Sequence, residues 1–261
     1  MPRSERLLLL ASLPVLFLLV LPSLIIVPMA LTKGQLIQFP PEWISIHAFT
    51  DYLADPQWVA ATMLSLKVAL TAVFLAGIAG TTAAMALHGR RFPGRSLLAG
   101  IIMAPIVVPT IVLALGDYLL LAPVKLVGTW GAIACMHALL ATPYIFISVQ
   151  TSLTLKLSAT LVRSARSLGA NRAAVFRHVV WPAIRPGLLA GGMLGFAVSF
   201  DEVVIALFLQ GPDTVTLPVR MLASIQFELT PKIAASASLF IALALIGLCV
   251  QALADRRMAR P

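Results

Sequence analysis

The chain has 261 residues, 60% of them hydrophobic and 11% charged, with 19 Lys and Arg against 10 Asp and Glu. Soluble domains carry about 25% charged residues, so this composition, with a mean hydropathy of +0.98, excludes a soluble globular protein. It points to an all-α polytopic membrane protein: the apolar runs are Leu, Ala, Val and Ile without the polar/apolar alternation of a membrane barrel strand.

A helical span takes about 20 apolar residues, and six stretches supply them: 7–31, 59–87, 97–121, 127–151, 187–209 and 233–254. The first follows Arg3 and Arg6, as a secretory signal would. It is longer than the usual signal core of about 7–15 residues, and no small-x-small site follows it, so it reads as a span. The second contains Lys67, and the third ends near Asp117 and Tyr118. The fourth opens on Trp130 and carries Cys135, His137 and Tyr144. After a long polar stretch at 152–186, the fifth carries Gly187, Gly191 and Gly195, then Asp201 and Glu202. The sixth contains Cys249. We expect a single transmembrane domain over 1–261.

Charge orients the spans. With the N-terminus inside, the inner segments hold Arg3, Arg6, Arg90, Arg91, Arg95, Lys156, Arg163, Arg166, Arg172, Arg177, Arg185, Arg256, Arg257 and Arg260. The outer ones hold Lys33, Lys125, Arg220 and Lys232. That bias places both termini in the cytoplasm. The net charge of +9 is then explained by inner loops meeting anionic lipid, and no nucleic acid is needed. The two cysteines lie inside spans without a CxxC or Cys/His cluster and read as packing residues. No metal spacing, P-loop or catalytic triad occurs, so no catalytic residue, metal or cofactor is expected on this chain.

The stretch RSLGANRAAVFRHVVWPAIRPG (166–187) is unlike the rest. One short helix fits 159–168 and stops at Gly169, suited to the left-handed position after a helix. Asn171 then caps a second helix over 172–181, and Pro182 and Pro186 punctuate the approach to the fifth span. A basic amphipathic helix can lie on a membrane surface. The Gly-Ala-Asn break reads better as a shaped knob for a protein groove.

This loop resembles the cytoplasmic signature of ABC-importer permeases: Glu-Ala-Ala, three residues, Gly, nine residues, Ile-x-Leu-Pro. Here Arg163-Ser164-Ala165 precede Arg166, Ser167 and Leu168, then Gly169. Ala170 and Asn171 open the nine, and Val179-Val180-Trp181-Pro182 close the match. Arg163 stands where the family has Glu, a charge reversal that removes the ion pair such a Glu would make. Ser164 replaces the first Ala. SLKVALTAVFLAGIAGTTAAMALHGRRFPGR (65–95) and SFDEVVIALFLQGPDTVTLPVRM (199–221) are similar to the spermidine/putrescine-type branch, which also includes opine, ferric-iron and aminophosphonate importers. The resemblance implies the fold of a type I importer permease in a bacterial inner membrane. It implies a second permease subunit in a heterodimer, two cytoplasmic ATPase subunits that bind ATP and Mg, and a periplasmic solute-binding protein. In the family this loop docks on the ATPase, and the solute expected here is a polyamine or related cation.

Ionisable groups inside spans are functional candidates by default. Asp201 and Glu202 lie about 12 Å deep at 1.5 Å per residue, and Lys67 about as deep, so Lys67 can pair with either acid. Either such a pair only holds two helices together, or the spare acid faces a path for a cation; we expect Asp201 inward and Glu202 structural. Asp117 is either an interfacial residue or an acidic entrance. Tyr118, Tyr144 and Trp130 suit an aromatic belt or ammonium walls. His137 reads as a hydrogen-bonded packing residue. The glycines of span five place it against a neighbour, suited to a subunit interface. An ion-coupled secondary transporter would leave the loop idle and should show repeat halves, which are absent. A membrane enzyme would need a cluster that four scattered histidines do not make.

Overall fold

The computed structural model describes residues 3–34, 39–41, 43–89 and 92–258. Arg90, Arg91 and Arg260 of the inner basic set lie outside the described residues, as does part of the first expected outer loop. Among the described residues the regular elements are helical: α1 (Arg3–Met29), α2 (His47–Ala54), α3 (Pro56–Leu87), α4 (Arg95–Val107), α5 (Thr110–Leu121) and α6 (Trp130–Lys156). Then come α7 (Ala159–Ser167), α8 (Arg172–Val175), α9 (Trp181–Phe200), α10 (Val204–Leu209), α11 (Leu217–Phe227) and α12 (Lys232–Met258). A π-helical turn, Phe176–Val180, joins α8 to α9.

Among the described residues, four helices are long and apolar enough to cross a bilayer: Ser12–Met29 of α1, Pro56–Leu87, Trp130–Lys156 and Arg172–Phe200. The expected third span is not one straight helix. It is broken into α4 and α5, bent by 104°. Val-Val-Pro explains the break: the residue before a proline is pushed out of the α region, and Val108 has φ −75°, ψ 129° ahead of Pro109. Counting the bent pair as one span gives five, and α12 adds a shorter apolar stretch, Lys232–Gly247.

The fifth span also departs from expectation. Pro182 and Pro186 do not separate a loop helix from the membrane helix, because Arg172–Phe200 runs on through both. A proline lacks an N–H and its ring crowds the carbonyl four residues back. The π turn, in which the Trp181 N–H donates to Phe176 O, widens the helix just before Pro182 and absorbs that conflict. The helix ends at Phe200 and resumes as α10 only at Val204.

The chain forms two compact units, residues 1–60 with 220–248, and 61–219 with 249–261. In the first, Tyr52 of α2 packs on Trp58, ring centroids 5.8 Å apart, and the Ser45 N–H donates to Leu31 O. Arg220 donates to Gln57. Lys232, opening α12, donates to Asp55 Oδ2 at 2.7 Å, with both side chains about a quarter exposed. That hydrogen bond holds the Asp55 carboxyl below its ordinary pKa of 3.8, outweighing the opposing effect of burial. A carboxyl lowered on folding stabilises fully above its unfolded pKa, and that contribution is lost as pH falls through the lowered value. Thermal melts of purified chain should therefore lose an increment below about pH 4 that Asp55→Asn lacks at every pH. An identical acid limb in the variant would remove Asp55 from the account.

The second unit is built around α6, the most buried of the long helices. Ile133, Ala134, Ile205 and Leu209 form one core cluster with Val68 and Ala114. Ile145, Val149, Leu153 and Ile184 form another with Ala72 and Ala76. Two threonine hydroxyls return to their own helix backbones: Thr142 donates to Ala138 O and Thr82 to Ile78 O, each at 2.7 Å, which satisfies them where lipid offers no partner.

The glycine stripe of α9 has a definite use. A Cβ at Gly187 would sit 2.4 Å from Ser148 O, and one at Gly191 would sit 2.7 Å from Ile145 Cα. The stripe packs α9 on α6 of the same chain, the close approach to a neighbouring helix that its four-residue spacing predicts. Gly187→Ala must push two backbones apart, a cost of about 1–3 kcal/mol for overpacking. Its melting temperature in detergent should fall clearly, whereas Gly192→Ala, whose Cβ would meet Val73 Cγ1 at 3.6 Å, should be near neutral. Equal melts would mean that the close approach relaxes freely.

Candidate functional site

The polar loop after α6 folds by local chemistry. Ser158 caps α7, its hydroxyl accepting from the Leu161 N–H at 3.2 Å. Leu168 closes the helix, and Gly169 follows with φ +84°. The Gly169 N–H donates to Arg166 O at 3.0 Å and the Ala170 N–H to Ala165 O at 3.1 Å, the paired bonds of a Schellman ending. Asn171 Oδ1 then accepts from the Ala174 N–H at 2.8 Å and starts α8. Gly169 and Asn171 thus hold the conformations that the sequence reading assigns them. The second helix is not a free-standing unit over 172–181; it is the first part of Arg172–Phe200.

This turn presents apolar bulk ringed by cations. Leu168 at its tip is 88% exposed. Phe176 and Trp181 are also exposed, with centroids 6.4 Å apart. Arg163, Ser164, Arg166, Arg172 and Arg177 lie exposed around them, as does Pro182, while Ala165 and Ala170 are half-buried. Val175, by contrast, is buried, at 5% exposure. An exposed leucine next to a two-bond helix ending is a shaped apolar tip, its backbone fixed by those hydrogen bonds.

The second feature is the helix break at 201–203. Glu202 is buried, and its carboxylate accepts from three successive N–H groups: Val204 at 3.0 Å, Ile205 at 2.7 Å and Ala206 at 3.3 Å. These are the donors that the start of α10 would otherwise leave without partners. His137 of α6, fully buried, bridges the break. Its Nδ1 lies 3.0 Å from Ser199 Oγ, and its Nε2 lies 3.7 Å from Glu202 Oε2. Asp201, one residue earlier, is exposed.

Lys67 does not pair with either acid. Its ammonium lies 3.6 Å from the centroid of the Trp130 ring, which corrects the expected Lys67–Asp201 or Lys67–Glu202 pairing. Glu202 has no need of a cation because the backbone of α10 already satisfies it. Asp117, on α5, is buried at 7% exposure, and its Oδ2 lacks a hydrogen-bond partner. Tyr118 is exposed and Tyr144 half-buried. Cys135 and Cys249 are free and exposed, not packed inside the chain as expected.

The sequence reading missed Ser199 and a backbone junction beside α10. Gly128 and Gly211 meet so closely that a Cβ at Gly211 would lie 2.9 Å from Gly128 Cα. The Gly128 N–H donates to Leu209 O at 2.8 Å. The Thr214 hydroxyl donates to Gly128 O and accepts from the Gly211 N–H. Two loop glycines were the available signal, but nothing in their sequence says that they touch.

Residues 76–260 match the family model of the binding-protein-dependent transport system inner membrane component. The chain belongs to this family. It is 31% identical to the putrescine transport system permease protein PotI of Escherichia coli strain K12, over 87% of this chain and 83% of that one. It is 32% identical to the sulfate transport system permease protein CysT of Salmonella typhimurium, over 72% and 70%. Among solved structures it shares its fold with a bacterial ABC transporter involved in the import of the acidic polysaccharide alginate. That match has a TM-score of 0.67 at 16% identity and covers 98% of each chain. The chain is accordingly a membrane permease and not an enzyme, all-α and of the importer type. The matched segment contains the loop, the helix break, Asp117 and Trp130, while Lys67 lies just before it.

Proposed function

We propose that this chain is one permease subunit of an ATP-driven, binding-protein-dependent importer, and that the knob at 159–182, within the loop 152–186, is its ATPase-coupling element. The observation that carries this reading is the shaped apolar tip at Leu168, held by the Gly169 and Asn171 caps at the signature spacing. A knob of that kind suits a cleft in a soluble partner, which would bind the ATP and Mg that this chain does not. Arg163, in place of the family's Glu, calls for an acidic or uncharged contact on that ATPase. The remaining partners are a second, similar permease and a periplasmic solute-binding protein. We place both termini and the 152–186 loop in the cytoplasm, with six spans over residues 1–261; the basic bias supports that orientation.

The solute class we propose is a polyamine or related organic cation. Similarity to PotI supports it, and so does Asp201, an exposed acid at a discontinuity between helices, where transporters commonly place polar groups of the path. Asp117 is the second acid assigned to that path. Opines, ferric iron and aminophosphonates are the competing solutes. Tagged chain should co-purify an ATPase, and reconstituted complex should hydrolyse ATP faster when its binding protein carries putrescine. Uptake driven by an ion gradient, with no ATPase retained, would overturn the reading in favour of a secondary transporter.

A further inference from the structure

Lys67 occupies an unusual place. On α3 the exposed positions Met63, Lys67, Leu70, Phe74 and Ile78 recur at the three- and four-residue spacing of one helix face. Four of the five are apolar and would suit lipid. An ammonium amid them would not, since a charge inside a span belongs on a face that meets protein or water. Its ammonium is already held, 3.6 Å from the centroid of the indole of Trp130 at the start of α6. Trp130 itself is 38% exposed, so the aromatic surface remains reachable from outside the chain. A cation centred over indole at that distance is the geometry in which a ring binds an alkylammonium. Here the alkylammonium is tethered to the protein.

We propose that the face of Trp130 is an ammonium subsite of the solute path, and that Lys67 is its resident cation, displaced when an organic ammonium passes. This rests on the import reading above and adds a residue pair that sets the charge preference. A solute ammonium must compete with one already in place, so Lys67 raises the concentration at which organic cations are accepted. Removing it should open the subsite, and removing the indole should abolish it.

The test compares Lys67→Met, Trp130→Leu and the double variant, reconstituted with their partner subunits. Lys67→Met should lower the apparent KM for putrescine about threefold or more, in keeping with the strength of one cation–indole contact. Trp130→Leu should raise it, and the double variant should match Trp130→Leu. A second readout needs no transport. Putrescine or tetramethylammonium titrated into the detergent-solubilised full chain should change tryptophan emission in Lys67→Met, at concentrations that leave the parent unaffected and Trp130→Phe silent. If ATP hydrolysis fails to respond to the loaded binding protein while that emission change occurs, the import reading fails and the subsite stands. If Lys67→Met raises KM as Trp130→Leu does, or if putrescine leaves its emission unchanged, the subsite is overturned.

Discussion

Gly169→Pro is expected to abolish coupled transport while leaving the chain inserted and assembled. The reason is local. Gly169 has φ +84°, proline is fixed near −65°, and the Gly169 N–H bond to Arg166 O is lost with the donor. Both bonds of the helix ending therefore go, and Leu168 leaves its place at the tip. A Cβ at Gly169 meets nothing within 4 Å, so the change should not disturb the packed unit. Gly169→Ala suffers only the left-handed backbone cost of about 1–2 kcal/mol and should lower coupling partially. Gly169→Asn, the side chain best tolerated there after glycine, should lower it least. The measurement is putrescine-stimulated ATP hydrolysis and uptake in reconstituted complex, with co-purification as the control for assembly. The expected order is Gly, Asn, Ala, Pro, with Pro below about a tenth of wild type, a loss equivalent to roughly 1.4 kcal/mol or more. A Gly169→Pro complex that couples normally would take the role of the loop away.

How far the sequence reveals this protein depends on the range of the interaction. The caps at Gly169 and Asn171 are legible because each is decided within about four residues, by backbone freedom and by one carbonyl oxygen. The apolar spans are legible because the bilayer sets their length. Proline is harder. Pro109 breaks a span because Val108 is forced extended, whereas Pro182 does not break one because a π turn takes up its misfit. The residue type is the same, and the outcome depends on whether the preceding turn can widen. The charges are least legible. Depth along two helices brings Lys67 level with Asp201 and Glu202, but depth says nothing of the angle around each helix. Lys67 turns to Trp130, and Glu202 turns back onto its own chain. Ser199 and His137 lie 62 residues apart, and no local pattern announces that contact.

Glu202→Ala should be the most damaging single change within the packed unit. It leaves the three N–H groups that open α10 without their acceptor, and a buried donor left unmade costs about 1–3 kcal/mol. At six residues, α10 is far shorter than the roughly 12 residues at which an isolated helix becomes even marginal, so it depends on that cap. Low yield and loss of co-purifying subunits are the expected results. Glu202→Gln keeps one oxygen acceptor and should retain part of the assembly. His137→Leu removes only the 3.7 Å approach and the Ser199 contact, and it should be milder than Glu202→Ala. If His137→Leu proves as damaging, the His137 contact and not the cap is what Glu202 supplies. Adding Lys67→Met should rescue none of these variants, since Lys67 and Glu202 share no contact. Asp201→Asn separates the neighbouring acid: exposed and uninvolved in the cap, it should assemble at wild-type yield and lose putrescine uptake. Full uptake by Asp201→Asn would remove that acid from the path and leave the cationic solute supported by similarity and by the Trp130 face alone.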